Sequence, residues 1–222
     1  MALALGRVKA VHVGPVKTFD PPAQADERKG AWTSGIYKFP VTAPVMVRTS
    51  GIDGDGQADL VAHGGVDGAV LAYAAGHYPM WEQQIGRPLE MGVFGENLTV
   101  TGFDDTAVCL GDIWEIGDSG GLRMQVTQSR QPCYKLARRM GEPRIVKWIT
   151  EGCNGGWYFR VLREGPVTAD MEIRLVERGQ LDWPVCEAVR VMYAKANEPH
   201  NAKRLREVEA LSSRWKTMLI NL

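Results

Sequence analysis

The sequence predicts a mainly β protein: a closed or nearly closed antiparallel barrel with flanking helices, followed by a small C-terminal helical appendage. Period-two alternation of apolar residues recurs from the N-terminus to about residue 177, and glycine-rich turns separate the runs. From residue 180 onward the apolar spacing becomes helical. Many short strands favour closure, because a closed sheet has no exposed edges. The expected division is a barrel domain over 1–179 and a three-helix segment over 180–222.

Alternating runs fall at 7–13, at 44–48 around Val45 and Val47, and at 112–116. The clearest interleaves Leu122, Met124 and Val126 with Arg123, Gln125 and Thr127, as a half-buried strand requires. Two more lie at 157–161 and 171–175. Three helices interrupt the strands. The first, 77–85, gathers Tyr78, Trp81 and Ile85 on one face; the second, 133–140, follows Pro132; the third, 142–150, gathers Ile145, Trp148 and Ile149. Beyond Pro184, residues Val185, Ala188, Val189 and Met192 share a helical face as core material. Short helices are expected at 203–210 and, behind a Ser212 cap, at 214–220. Lys203, Arg204 and Arg206 offer a basic face on the first of these.

Composition narrows the function classes. The 222 residues carry 26 basic and 26 acidic side chains, so a general binder of nucleic acid or membrane surface is disfavoured and any anion site is local. At 45% hydrophobic and 23% charged, the chain has the balance of an ordinary globular protein. The apolar run from Ala2 to Leu5 is too short for the core of a signal peptide. The apolar stretch 68–76 falls far below the roughly 18 residues that span a bilayer. A soluble cytoplasmic protein is expected, its cysteines reduced. Cys109, Cys133, Cys153 and Cys186 form no CxxC pair.

Several motifs fail on inspection. Asp53, Asp55 and Asp59 alternate as in a calcium loop, but Ala58 and Gly64 stand where that loop needs Gly and Glu. There is no dinucleotide fingerprint, no phosphate-binding GxxxxGK[ST] and no HExxH. What remains are four strings: SGIYK at 34–38, GIDGDGQADLVAHGG at 51–65, VFGENL at 93–98 and RQPCYK at 130–135. Pro132 suits a first helical position, which would put Cys133 in the first turn, close in sequence to Arg130, Lys135, Arg138 and Arg139. Such surroundings stabilise a thiolate, the form that attacks or ligates metal, although a buried inert thiol is an equal reading.

Taken in order, these strings, with GDIWEIG, GGWYFRV and a tail bearing SSRWKTM, resemble the MOSC domain, the molybdenum-cofactor sulfurase C-terminal module, in its stand-alone YiiM-like branch. The resemblance spans essentially the whole chain. It implies a MOSC-type β-barrel and a molybdenum cofactor, molybdopterin with its metal bound by Cys133. Soft sulfur donors suit such a metal. Lys38, Arg130 and Lys135 become candidate anion partners, Gly64, Gly65 and Gly95 candidate backbone contacts, and Asp59 and Asn97 candidate readers of the pterin edge. His63 could contact the pterin or shuttle a proton, and Glu96 could donate a proton or serve structure. Lys38, Lys135, Asp59 and Asn97 also admit ordinary solvated or turn roles. Where relatives often have a basic residue, this chain has Gly68.

The resemblance implies a reductase for N-hydroxylated bases such as hydroxylaminopurine, a detoxifying N–O cleavage with Cys133, His63 and Glu96 as catalytic candidates. Its partners would be that small substrate and a separate flavin or iron–sulfur electron-donor protein, since no cofactor fingerprint for electron supply is present. No nucleic acid or membrane is expected, and a homodimer is compatible. The alternative is a sulfur carrier or cofactor-binding module without redox turnover, in which Cys133 carries a persulfide.

Overall fold

The computed structural model describes residues 4–20, 30–58 and 65–220. Seven strands close a barrel: β1 (Ala4–Val13), β7 (Val70–Ala74), β8 (Leu98–Thr101), β9 (Ile113–Ile116), β10 (Leu122–Ser129), β11 (Trp157–Arg163) and β13 (Glu172–Glu177). Their order around the wall is β13, β9, β10, β11, β7, β8, β1, and the pairing of Ala4–Arg7 with Leu175–Glu172 completes the ring. Alternation explains the interior. Leu122, Met124 and Val126 point inward with Trp114, Trp157 and Phe159, whose rings pack at centroid distances of 4.9 Å (Trp114–Phe159) and 5.8 Å (Trp114–Trp157).

The sheet is not wholly antiparallel, as the alternation suggested: β7 and β8 run parallel, with Ala72 opposite Leu98. A parallel neighbour needs a crossover, and α1 (Tyr78–Ile85) supplies it. The sequence hid β7 for a related reason. All five of its residues are buried, because Val70, Ala72 and Ala74 face the barrel while Tyr73 faces a second apolar cluster outside it. A strand buried on both faces shows no alternation. The outer cluster joins Tyr73, Trp81 and Phe94 to Leu136 and Met140 of α2 (Tyr134–Met140) and to Ile145 and Ile149 of α3 (Ile145–Gly152).

β1 is longer than the barrel needs. Beyond Arg7 it leaves β13 and carries an outlying strand, β4 (Phe39–Val41), against Val11–Val13. Pro40, which has no N–H to give, sits in this edge strand. Small ribbons complete the shell: β2 (Lys17–Phe19) with β3 (Trp32–Ser34), and β5 (Val45–Arg48) between β6 (Gly51–Ile52) and β12 (Gly165–Val167).

The C-terminal helices are α4 (Val185–Ala194), α5 (Pro199–Arg206) and α6 (Ser213–Met218). α5 starts and ends about one turn earlier than the expected 203–210, because Pro199 opens it and the chain turns at Glu207. The Ser212 cap is present, its hydroxyl accepting the Trp215 amide at 3.2 Å. α3 begins at Ile145 rather than 142, where the Glu142 carboxylate accepts the Arg144 amide instead. Val189, Met192, Leu205 and Trp215 join the same apolar cluster as the barrel interior. Among the described residues no helix is long and apolar enough to cross a membrane.

Candidate active site

A cleft lies against the outer face of the barrel wall. Tyr158 points outward between the core residues Trp157 and Phe159, and its register partner Leu71 shares that face. Loops close around these two: Ser34 to Lys38, Asp55 to Ala58, Phe94 to Asn97 and Arg130 to Lys135. All four singled-out strings thus converge on one cleft of about 670 Å³, counting its open mouth.

Close backbone contact holds the loops together. A Cβ on Gly35 would lie 2.0 Å from the Gly56 carbonyl oxygen, and one on Gly95, at φ +84°, would lie 2.8 Å from Ile36 Cγ1. Neither position accepts a side chain without movement. Asp55 ties the same loops electrostatically: it pairs with Lys38 and accepts from the Gly14 amide and Asn97 Nδ2, each at 2.9 Å. Asn97 also accepts from the Leu71 amide at 3.1 Å and donates to the His12 carbonyl at 3.3 Å. Lys38 and Asn97 therefore line the cleft while splicing β1, β7 and β8 together. Burial pushes the Lys38 ammonium below its usual pKa, and Asp55 opposes that shift.

Cys133 lines the cleft, partly exposed, but it is not in the first helical turn. Its φ of −131° and ψ of 171° make it the cap before Tyr134, so Pro132 lies outside the helix. Lys135 donates to the Thr33 carbonyl at 2.9 Å, pinning α2 to β3. Arg130 is different. It is 6% exposed and lines the cleft, and its Nη1 has no partner among the described residues. A buried guanidinium with an unanswered donor marks a place for an acceptor from a ligand or water.

Glu96, fully buried, lies beneath the cleft rather than on its lining. Its Oε1 accepts from the Tyr78 hydroxyl, the Gly92 amide at 2.8 Å and Thr99 Oγ1 at 2.9 Å. Among the described residues Glu96 Oε2, His12 Nδ1 and Arg139 Nη1 lack partners. Burial holds both His12 and Arg139 below their usual pKa values, against the pull of Glu96. Gly65 donates its amide to Gln57 Oε1 at 3.3 Å, off the cleft lining, whereas Gly95 is on it. Asp59, His63 and Gly64 lie outside the described residues.

Sequence reasoning passed over Asp55, Gln57 and Tyr158, all on the lining. Asp55 had been weighed only as a calcium ligand, and its partner Lys38 comes from another string. Tyr158 had a signal in the alternation itself, since Trp157 inward requires Tyr158 outward. No three His, Cys, Asp or Glu side chains among the described residues converge as a metal site, and Cys133 is the cysteine on the cleft lining.

Comparison with known proteins shows the family and the fold. A family model described as MOSC domain matches residues 59–174. The uncharacterized protein YflK of Bacillus subtilis (strain 168) is 42% identical over 183 residues, covering 82% of this chain and 81% of its own. A protein of Gibberella moniliformis (strain M3125 / FGSC 7600) named Reductase is 37% identical over 171 residues, 75% of this chain and 30% of that longer one. The crystal structure of YiiM from Geobacillus stearothermophilus superposes with a TM-score of 0.79 at 32% identity, covering 97% of both chains.

Proposed function

This chain belongs to the MOSC domain family, in its stand-alone YiiM-like branch, and from that membership we propose that its cleft binds the molybdenum cofactor and reduces N-hydroxylated bases such as hydroxylaminopurine. The observation that carries the reading is the pairing of the Cys133 thiol with the buried, partly unpartnered Arg130 guanidinium on one lining. A cofactor that brings its own metal and dithiolene sulfurs needs one further soft ligand from the protein and a cation for its phosphate. Cys133 and Arg130 fit those two needs. When bound, the cofactor supplies two-electron redox chemistry at a sulfur-ligated metal.

The chain's own residues hold and shape the site. Cys133 ligates, and Arg130 holds anionic oxygen. The Gly95 backbone allows close approach, while Phe94 and Leu71 supply apolar wall. The Lys38–Asp55 pair keeps the 34–38 and 55–58 loops in register with each other. Electrons come from a separate flavin or iron–sulfur protein. The name Reductase on the Gibberella relative supports the reductive direction.

The test is reduction of hydroxylaminopurine by cofactor-loaded protein with a competent electron donor. Wild type is expected to turn over, and Cys133→Ala to fall to the rate without protein. Equal rates for the two proteins would overturn the reading.

A further inference from the structure

Reducing a hydroxylamine breaks one N–O bond: two electrons and two protons convert R–NH–OH to R–NH2 and water. The donor protein supplies the electrons, and the departing oxygen needs a proton as it leaves. Of the proton-bearing groups expected for this task, His63 lies outside the described residues, and Glu96 lies beneath the cleft with its Oε1 already accepting three hydrogen bonds. Lys38 is bound to Asp55, and Cys133 is the ligand of the proposed cofactor.

Tyr158 meets the geometric requirement. It stands on a rigid strand of the barrel wall, paired with Leu71 on one side and Gln128 on the other, and its side chain lines the cleft. The Arg130 guanidinium and the Cys133 thiol both lie within electrostatic reach of its hydroxyl. The floor beside it is open: a Cβ added to Gly68 would meet only Tyr158 Cδ1, at 3.7 Å.

We propose that Tyr158 is the catalytic proton donor: its phenol hydrogen-bonds the hydroxyl oxygen of the bound N-hydroxylated base and passes its proton to that oxygen as the N–O bond breaks. Arg130 steadies the phenolate left behind, and solvent at the open mouth returns the proton; the second proton, to nitrogen, also comes from solvent. This assignment rests on the reductive reading of the cleft. Burial raises the phenol above its usual pKa, with Arg130 opposing, so the group keeps its proton at neutral pH.

The experiment compares cofactor-loaded wild type with Tyr158→Phe, using viologen reduced by dithionite as donor and hydroxylaminopurine as substrate. The variant is expected to keep its molybdenum and pterin content while kcat falls about 100-fold or more, the span of general-acid catalysis, and KM rises only a few-fold, about what one lost hydrogen bond to the substrate costs. Its pH profile should lose the high-pH limb that ionisation of the phenol gives the wild type. Calorimetry on unreduced protein adds a readout without turnover: wild type is expected to bind hydroxylaminopurine more tightly than the amine product, and Tyr158→Phe to lose that preference. Wild-type turnover with an unimpaired Phe variant, or with a rise in KM alone, overturns the Tyr158 assignment and leaves the reductive reading standing. A wild type that reduces nothing overturns the reductive reading, and the donor role with it.

Discussion

Cys133 and Arg130 were legible as chemistry because their signals are local: a proline, a thiol and cations within a few residues of one another. Asp55 and Tyr158 were not, since what each faces depends on segments distant in sequence. Asp55 meets Lys38, Gly14 and Asn97, and Tyr158 meets Arg130 through strand register. The Lys38–Asp55 pair, with both side chains under a tenth exposed, is the most buried ion pair among the described residues. Removing one partner strands a buried charge, so Lys38→Met should lower unfolding free energy by about 3–5 kcal/mol. Adding Asp55→Asn should recover part of that loss, because both charges are then gone. A double-mutant cycle by urea unfolding measures this. Additive losses would show that the pair is not coupled.

Among the elements, the strands with one wet face were readable and those without were not. The first half of β10, from Leu122 to Val126, alternates because one face meets the barrel core, whereas Val70–Ala74 lies between two apolar clusters and reads as a featureless run. The short β2, β3, β4 and β6 leave too few residues for a period to show. The same limit displaced Cys133 by one position, from first turn to cap, since a sequence marks a helix start without marking which residue is last in extended geometry. The loops that carry the site depend on backbone contact, chiefly Gly35 against the Gly56 carbonyl at 2.0 Å from an added Cβ. Gly35→Ala should therefore cost about 1–3 kcal/mol by forcing the two loops apart. Reduced cofactor retention should accompany that loss, read as molybdenum per chain after gel filtration. Unchanged stability together with unchanged retention would show that the 34–38 and 55–58 loops do not depend on this contact.

At the scale of the molecule, closure into a barrel was legible from many short strands, and the parallel β7–β8 pair was not, because a crossover through α1 leaves no trace in strand periodicity. The closed wall gives the cleft a stiff back: Tyr158 and Leu71 are held by paired strands, while the four loops bring in the polar groups. Zero net charge is consistent with this, since the cations that matter are placed singly and Lys38 is already answered by Asp55. The central claim is that Cys133 anchors a molybdenum cofactor in this cleft. Metal and pterin analysis of freshly isolated protein, beside Cys133→Ala prepared identically from cells that make the cofactor, tests it most directly. Wild type is expected to hold molybdenum at close to one atom per chain together with pterin, and Cys133→Ala to lose the metal. Equal molybdenum in both proteins, or none in the wild type, would contradict the claim.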